Sequence, residues 1–160
     1  MYRLVLFLKE TKMEIRESSY TECYALMKEL WPDKDPVPPI DNTLGMIKYS
    51  GADYAKMRPR FMIAIDDSGV PFACTHAYET GPGELRIRGT YCRPNSRESG
   101  VAAQLVNGVI DLFPHCNYIY TFPRFGVEGF YQKIGFTIGE HTWPDIYKGV
   151  RFAYKFRDHA

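Results

Sequence analysis

Residues 92–102 read Cys-Arg-Pro-Asn-Ser-Arg-Glu-Ser-Gly-Val-Ala, placing a strand end, a polar turn and a helix start in one run. Upstream, Glu84 to Cys92 has the make-up of a strand. Downstream, Ala102, Leu105, Val106, Val109, Leu112 and Phe113 fall at helical spacing, and Pro114 ends the pattern. The helix is expected to begin at about Glu98. The first turn of a helix carries N–H groups without intrahelical partners and the positive end of the helix dipole, and both attract anions, phosphates especially. Gly100 removes a side chain where a pyrophosphate would have to come close, Ala102 keeps the next turn small, and Arg97 adds positive charge. The same pattern also suits a plain strand–turn–helix connection whose small residue serves packing. Spacing alone leaves the two readings open.

Working outward, Tyr118 to Phe122 reads as a strand stopped by Pro123, and Val127 to Ile134 as a short helix closed by Gly135. Phe136 to Ile138 starts another strand. Val150, Phe152, Tyr154 and Phe156 alternate with Arg151, Ala153, Lys155 and Arg157, which predicts a half-buried final strand with the aromatic side inward. Toward the N-terminus, Phe61 to Ile65 and Val70 to Tyr78 flank the turn Asp67-Ser68-Gly69 as a hairpin, and Thr80-Gly81-Pro82-Gly83 is a second turn. Gly89, inside the strand before the loop, marks a bulge or a close backbone approach. Ser19 and Glu22 form a capping box for a helix with Tyr20, Cys23, Tyr24, Met27, Leu30 and Trp31 on one stripe, ended by Pro32. Asp33 to Pro39 is a loop. Asp41 and Asn42 cap a weak second helix running to about Met57. Met13 to Arg16 is a short strand, and residues 1–12 hold an extra N-terminal strand at Leu4 to Leu8, with Met13 an alternative start.

The chain has 160 residues, enough for one domain spanning 1–160. Apolar residues make up 45% and charged residues 24%, which argues against a disordered or membrane-embedded chain. Twenty basic against nineteen acidic side chains give a net charge of +1, so no nucleic-acid partner is favoured. Leu4 to Leu8 is too short for a membrane span or a signal peptide, and a cytoplasmic location is expected. The four cysteines, Cys23, Cys74, Cys92 and Cys116, show no C-x-x-C spacing. They read as reduced core thiols, and no metal is expected. Aromatic residues reach 15%, and Tyr20, Tyr24, Phe61, Phe113, Phe152 and Phe156 are expected in the core.

A second segment bears on the loop: Gly129-Phe130-Tyr131-Gln132-Lys133-Ile134-Gly135-Phe136 is a short helix ending in glycine, then a strand. Taken with Arg97-x-x-Gly100-x-Ala102 upstream, it resembles the GNAT family of acetyl-CoA-dependent N-acetyltransferases. The family's pyrophosphate loop reads Gln/Arg-x-x-Gly-x-Gly/Ala, and its later helix commonly reads Phe-Tyr-x-Lys-x-Gly-Phe. The resemblance covers roughly Met13 to Phe156 and is strongest from Glu84 to Phe136. It implies a mixed α/β fold with a central, mostly antiparallel sheet of about six or seven strands and helices on both faces. The strands ending at Cys92 and Phe122 would splay into a wedge for acetyl-CoA.

The resemblance also implies roles. Backbone groups of Tyr91 and Cys92 would pair with the pantetheine arm, and the amides of Arg97, Glu98, Ser99, Gly100, Val101 and Ala102 would hold the pyrophosphate. Tyr131 would protonate the leaving thiolate after direct attack by an amine. Glu84 is the candidate general base, with Glu79 and His76 behind it. Arg124 stands where many members carry an asparagine against the pantetheine, and Glu98-Ser99 replace more basic residues of the loop. Phe125, Trp143 and Tyr147 lie in loops where they would wall an acceptor pocket for a small-molecule or peptide amine. The alternative for the loop aromatics is packing on the partner in a homodimer. Two other functions fit the same motifs: a non-catalytic CoA-binding module, and a toxin-like acetyltransferase of aminoacyl-tRNA. The latter calls for Arg58, Arg60, Arg86 and Arg88 to group beside the wedge.

Overall fold

The computed structural model describes residues 3–8, 11–32, 46–47, 52–53, 59–97, 99–123, 126–139 and 152–157. The chain opens with a hairpin of β1 (Arg3–Leu8) and β2 (Thr11–Ser18), in which Leu4 faces Ile15. Helix α1 (Tyr20–Leu30) starts at the expected capping box: Glu22 N donates to Ser19 Oγ at 3.2 Å, and Ser19 N donates to the Glu22 carboxylate at 3.1 Å. Two short strands follow, β3 (Met46–Ile47) and β4 (Ala52–Asp53), paired antiparallel with each other. They replace the weak helix expected there. In the sequence Gly45 and Gly51 each immediately precede one of these strands, and glycine is unfavourable in a helix interior.

The main sheet continues with β5 (Arg60–Asp66), β6 (Pro71–Gly81) and β7 (Glu84–Cys92). Helix α2 (Val101–Asp111), β8 (Tyr118–Thr121), α3 (Glu128–Lys133), β9 (Thr137–Gly139) and β10 (Phe152–Phe156) complete it. The spatial order is β1-β2-β5-β6-β7-β8-β10-β9, an eight-stranded sheet. The resemblance implied about six or seven strands, and the N-terminal hairpin accounts for the excess. Every pairing is antiparallel except β7 with β8, the product of a β-α-β crossover through α2.

Two cores sandwich the sheet. On one face, α1 buries Tyr20, Cys23, Leu26 and Met27 against Phe61, Ile63, Cys74 and Tyr78. On the other, α2 buries Val101, Leu105, Val106 and Val109, joined by Phe113 just beyond its end, against Met62, Ala64, Ala77, Leu85, Ile87 and Ile119, and Tyr131 from α3 joins them. Tyr24, assigned to the helical stripe, is instead 37% exposed, and Leu26 takes the core position. The final strand also departs from its pattern. Ala153 is the residue fully buried toward α2, whereas Phe156 is 67% exposed. Phe152, Tyr154 and Phe156 lie on the opposite face and stack with Tyr118, Tyr120 and Phe122. The small Ala153 suits the crowded helix-covered face, while the rings bury one another on the other side.

All four cysteines are free and buried. Cys23 and Cys74 share a hydrogen bond across the first core, and that bond together with burial pushes the Cys74 thiol up. Burial and the Glu79 carboxylate push Cys116 up to about 12. No described helix is long and apolar enough to cross a membrane.

Candidate functional site

Strands β7 and β8 pair only at Glu84↔Tyr118, Leu85↔Ile119 and Arg86↔Tyr120. Beyond that, Thr121 Oγ1 donates to Ile87 O at 2.9 Å, and no further pairing joins the two strands among the described residues. From there to Cys92, β7 is hydrogen-bonded on its other side to β6 alone, with Cys74 opposite Tyr91 and Ala73 opposite Cys92. The main-chain groups of Thr90 to Cys92 that face away from β6 therefore border an open wedge, available to an extended ligand as to an added strand.

A bulge sets which side chains line this wedge. Ile87 and Cys92 are an odd number of residues apart yet join the same core, which a regular strand forbids. The pairing with β6 slips between Cys74 and His76, at Gly89, whose φ of +66° is left-handed. A Cβ on Gly89 would also lie 2.9 Å from His76 Nδ1, so both readings of this glycine hold. The extra residue turns Thr90 toward the α2–α3 face. There it meets Thr75 Oγ1 at 2.7 Å and the Tyr131 hydroxyl, which is also hydrogen-bonded to Thr121.

The direction of this chain follows from its end. A carbonyl can only accept, so Thr121 donates to Ile87 O, Tyr131 O–H donates to Thr121, and Thr90 donates to Tyr131. Burial pushes the Tyr131 phenol above its ordinary value, against the opposing hydrogen bonds of Thr90 and Thr121. Tyr131 is thus a protonated phenol, 5% exposed, at the point where the strands part. Its ring is held edge-on between Phe130 and Phe136 at 4.9 and 5.3 Å.

The loop after β7 runs through a single 3-10 turn, Pro94–Ser96, and α2 begins at Val101, not at about Glu98 as expected. Gly100 at its N-cap has φ +84°, no side chain caps it, and a Cβ there would meet nothing within 4 Å. The left-handed residue turns the chain late, so the helix starts at Val101, whose N donates to Ser99 Oγ at 3.5 Å, and the space above Gly100 stays open. That is room and polarity for a pyrophosphate. Ser99 Oγ donates to Ser96 O at 2.7 Å and fixes the turn. Arg97 donates to Cys92 O at 3.0 Å, with its guanidinium 5.9 Å from the Tyr91 ring, so its charge stays at the mouth of the wedge.

Across the sheet, on the α1 face, His76 is fully buried, stacked on Phe61 and near Tyr78. Burial, then the charges of Arg88 and Arg86, hold its pKa well below the usual histidine value, so the imidazole is neutral. Arg86 lies over the Phe122 ring at 4.9 Å and Arg88 over Trp31 at 5.1 Å. Arg60 is on the other face, doubly bonded to Glu17 at 2.7 Å and bonded to Leu112 O. The described arginines therefore do not form one patch, and Arg58 lies outside the described residues. A groove between α2 and β10, lined by Asn107, Asp111, Ile134, Thr137 and Tyr154, contains neither Tyr131 nor the loop.

The sequence profile of the acetyltransferase (GNAT) family matches residues 20–136, which spans both the splayed strands and the loop. The chain belongs to the GNAT acetyltransferase family. A GNAT acetyltransferase from Staphylococcus aureus has the same fold at 16% identity, covering 90% of this chain and 98% of that one with a TM-score of 0.67. The GNAT domain of S. lividans PAT does so at 11% identity, with 97% of each chain covered and a TM-score of 0.66. N-acetylglutamate synthase from Neisseria gonorrhoeae, in complex with coenzyme A and N-acetyl-glutamate, superposes at 13% identity with a TM-score of 0.63, covering 92% of this chain and 35% of that one. No protein of curated function matches the sequence.

Within this GNAT fold, the wedge brings together Tyr91, Cys92, Arg97, Ser99, Gly100, Val101 and Ala102 along one rim and Tyr131 at the junction. Glu98, Arg124, Phe125, Trp143 and Tyr147 lie outside the described residues. Glu84 is exposed at the paired root of the strands. Six residues separate it from Thr90, about 20 Å along a strand, so the fold does not bring it to Tyr131. Glu79 is likewise at the root and bonds to His115. Thr75, Thr90 and Thr121 escaped the sequence reading. The available signal was alternation corrected for the bulge: Thr121 shares the face of Ile119, and Thr90 that of Cys92.

Proposed function

We propose that this protein transfers the acetyl group of acetyl-CoA directly to a primary amine of a small molecule or peptide, as one cytoplasmic domain spanning 1–160. The observation that supports this most is the protonated Tyr131 hydroxyl, fixed by Thr90 and Thr121 where β7 and β8 part. Acetyl-CoA supplies the acetyl group as a thioester; the new C–N bond forms as the C–S bond breaks, and the thiolate takes a proton. The cradle fits it: an uncapped helix terminus, a glycine with open space above it, and a strand edge ready for main-chain pairing.

Tyr91 and Cys92 align the pantetheine through their backbone, and the amides of Arg97, Glu98, Ser99, Gly100, Val101 and Ala102 receive the pyrophosphate, with Arg124 as a further phosphate contact. Tyr131 keeps its bond from Thr90 and redirects its own proton from Thr121 to the sulfur. Phe125, Trp143 and Tyr147 wall the acceptor pocket, and the attacking amine sheds its proton to water. Glu84 is placed too far along β7 for that task. Neutral His76 binds protons too weakly to take it over. The complex of the Neisseria enzyme with coenzyme A and N-acetyl-glutamate suits an amine acceptor of this kind.

Isothermal titration with CoA and acetyl-CoA, followed by thiol release over a panel of amines, tests the proposal. Binding with acetylation of at least one amine is expected. Absence of any binding at high micromolar cofactor refutes it, and binding with no transfer to any amine favours a CoA-binding module.

A further inference from the structure

The wedge leaves unused a cluster at the opposite, paired end of β7 and β8. Glu79 from the end of β6 meets His115 and Cys116 from the loop between α2 and β8, and one ligand atom from each lies within 4.8 Å of the others. Cys116 Sγ is 3.4 Å from Glu79 Oε1, and the same oxygen hydrogen-bonds His115 Nε2. We propose that Glu79, His115 and Cys116 bind a zinc ion.

The donor set selects the metal. A thiol sulfur, an imidazole nitrogen and one carboxylate oxygen suit zinc, whereas magnesium and calcium take oxygen alone. The geometry agrees. Zn–S and Zn–O bonds at a tetrahedral angle hold sulfur and oxygen about 3.5 Å apart, close to the separation already present. The imidazole has to move out by a short step to let the ion replace its hydrogen bond to Glu79. Its side chain is 62% exposed, so that step meets little resistance. Cys116 lies fully inside the core and Glu79 is about one-third exposed, so the ion sits at the protein boundary with its fourth position open to water. As the S–Zn bond forms, the thiol proton leaves to solvent.

The surrounding backbone is held from several sides. Cys116 N donates to Phe113 O at 3.0 Å, Arg157 Nε donates to Cys116 O at 2.8 Å, and both Asn117 N and Tyr118 N donate to Gly83 O. A bound ion adds a side-chain clamp from β6 to the loop entering β8, at the root of the wedge.

Cobalt(II) titration of the chelator-treated full chain tests the site, because a cobalt–thiolate bond gives a charge-transfer absorption. The expected result is saturable absorption at one ion per chain, displaced by zinc and absent in Cys116→Ser. His115→Ala, which changes an exposed side chain, leaves circular dichroism unaltered and weakens cobalt binding at least about tenfold. Zinc raises the melting temperature of the wild-type chain and not that of His115→Ala. No absorption in the wild-type chain overturns the proposal, and so does an equal band in Cys116→Ser. Were Cys116→Ser unable to fold, undiminished binding by folded His115→Ala would overturn it equally.

Discussion

Replacing Tyr131 with phenylalanine removes one oxygen and leaves the ring between Phe130 and Phe136. If Tyr131 protonates the leaving thiolate, kcat falls. General acids contribute about a hundredfold to ten-thousandfold, and the low end applies here because a thiol of pKa about 8.5 already leaves fairly easily. A hundredfold corresponds to about 2.7 kcal/mol of transition-state stabilisation. Acetyl-CoA affinity holds, because the proposed cradle is backbone from Tyr91 to Ala102. The wild-type rate should show an alkaline limb above pH 10, since burial raises the phenol pKa beyond that value, and the variant should lose it. Stability changes too. Thr90 loses its acceptor inside the core, a cost of about 1–3 kcal/mol, which for a chain of this size lowers the melting temperature by at most about ten degrees. The assay is steady-state thiol release across pH, with cofactor affinity by calorimetry and melting by circular dichroism. A variant that folds, binds cofactor as before and keeps kcat within about twofold refutes the assignment, because the smallest expected loss is far larger.

Other outcomes follow from the same geometry. Gly100→Ala meets no neighbour within 4 Å but must adopt φ +84°; it should cost about 1–2 kcal/mol of stability and weaken CoA binding about tenfold or more, measured by chemical denaturation and calorimetry. Gly89→Ala adds a clash with His76 to a left-handed φ of +66° and should cost about 2–5 kcal/mol, read as a drop in the denaturation midpoint. His76 is held neutral in the fold, so its contribution is full above the ordinary value of 6.5 and is lost as pH falls through the depressed folded pKa. As pH falls below 6.5 the wild-type chain should therefore lose stability with a slope of up to about 1.4 kcal/mol per pH unit, and His76→Asn should flatten it. Below pH 4.5 the slope should steepen in both, as Glu22 and Glu29, held low by Arg16 and Arg93, take up protons.

Local chemistry made much of the fold legible. The capping box at Ser19, the Asp67-Ser68-Gly69 turn and the apolar stripe of α2 each depend on residues within a few positions of one another, so pattern alone finds them. The resemblance added the wedge, because the loop and the Phe130–Phe136 helix carry it together. Where competing packing decided, the pattern failed. Tyr24 satisfied the helical period, yet Leu26 took the place in the core. Phe152, Tyr154 and Phe156 alternated as an inward face should, but the crowded face under the helices admitted Ala153, and the rings found partners on the other side.

By itself the sequence determined the order of the elements outside 41–57, the strand–turn–helix at Gly100 and the placement of Tyr131 on a short helix, because these rest on backbone propensity and on motifs contiguous in the chain. Only the tertiary structure decided that Thr90 and Thr121 grip the Tyr131 hydroxyl, that Glu84 lies at the far root of the strands, and that Glu79 meets His115 and Cys116. The physical reason is a single bulge and a single splay. One extra residue at Gly89 reverses which face Thr90 presents, and the parting of two strands after Arg86 sets which residues reach a ligand. Gly89 marks the bulge in the sequence, but the face it gives Thr90 and the point where the strands part follow only from how the strands pair.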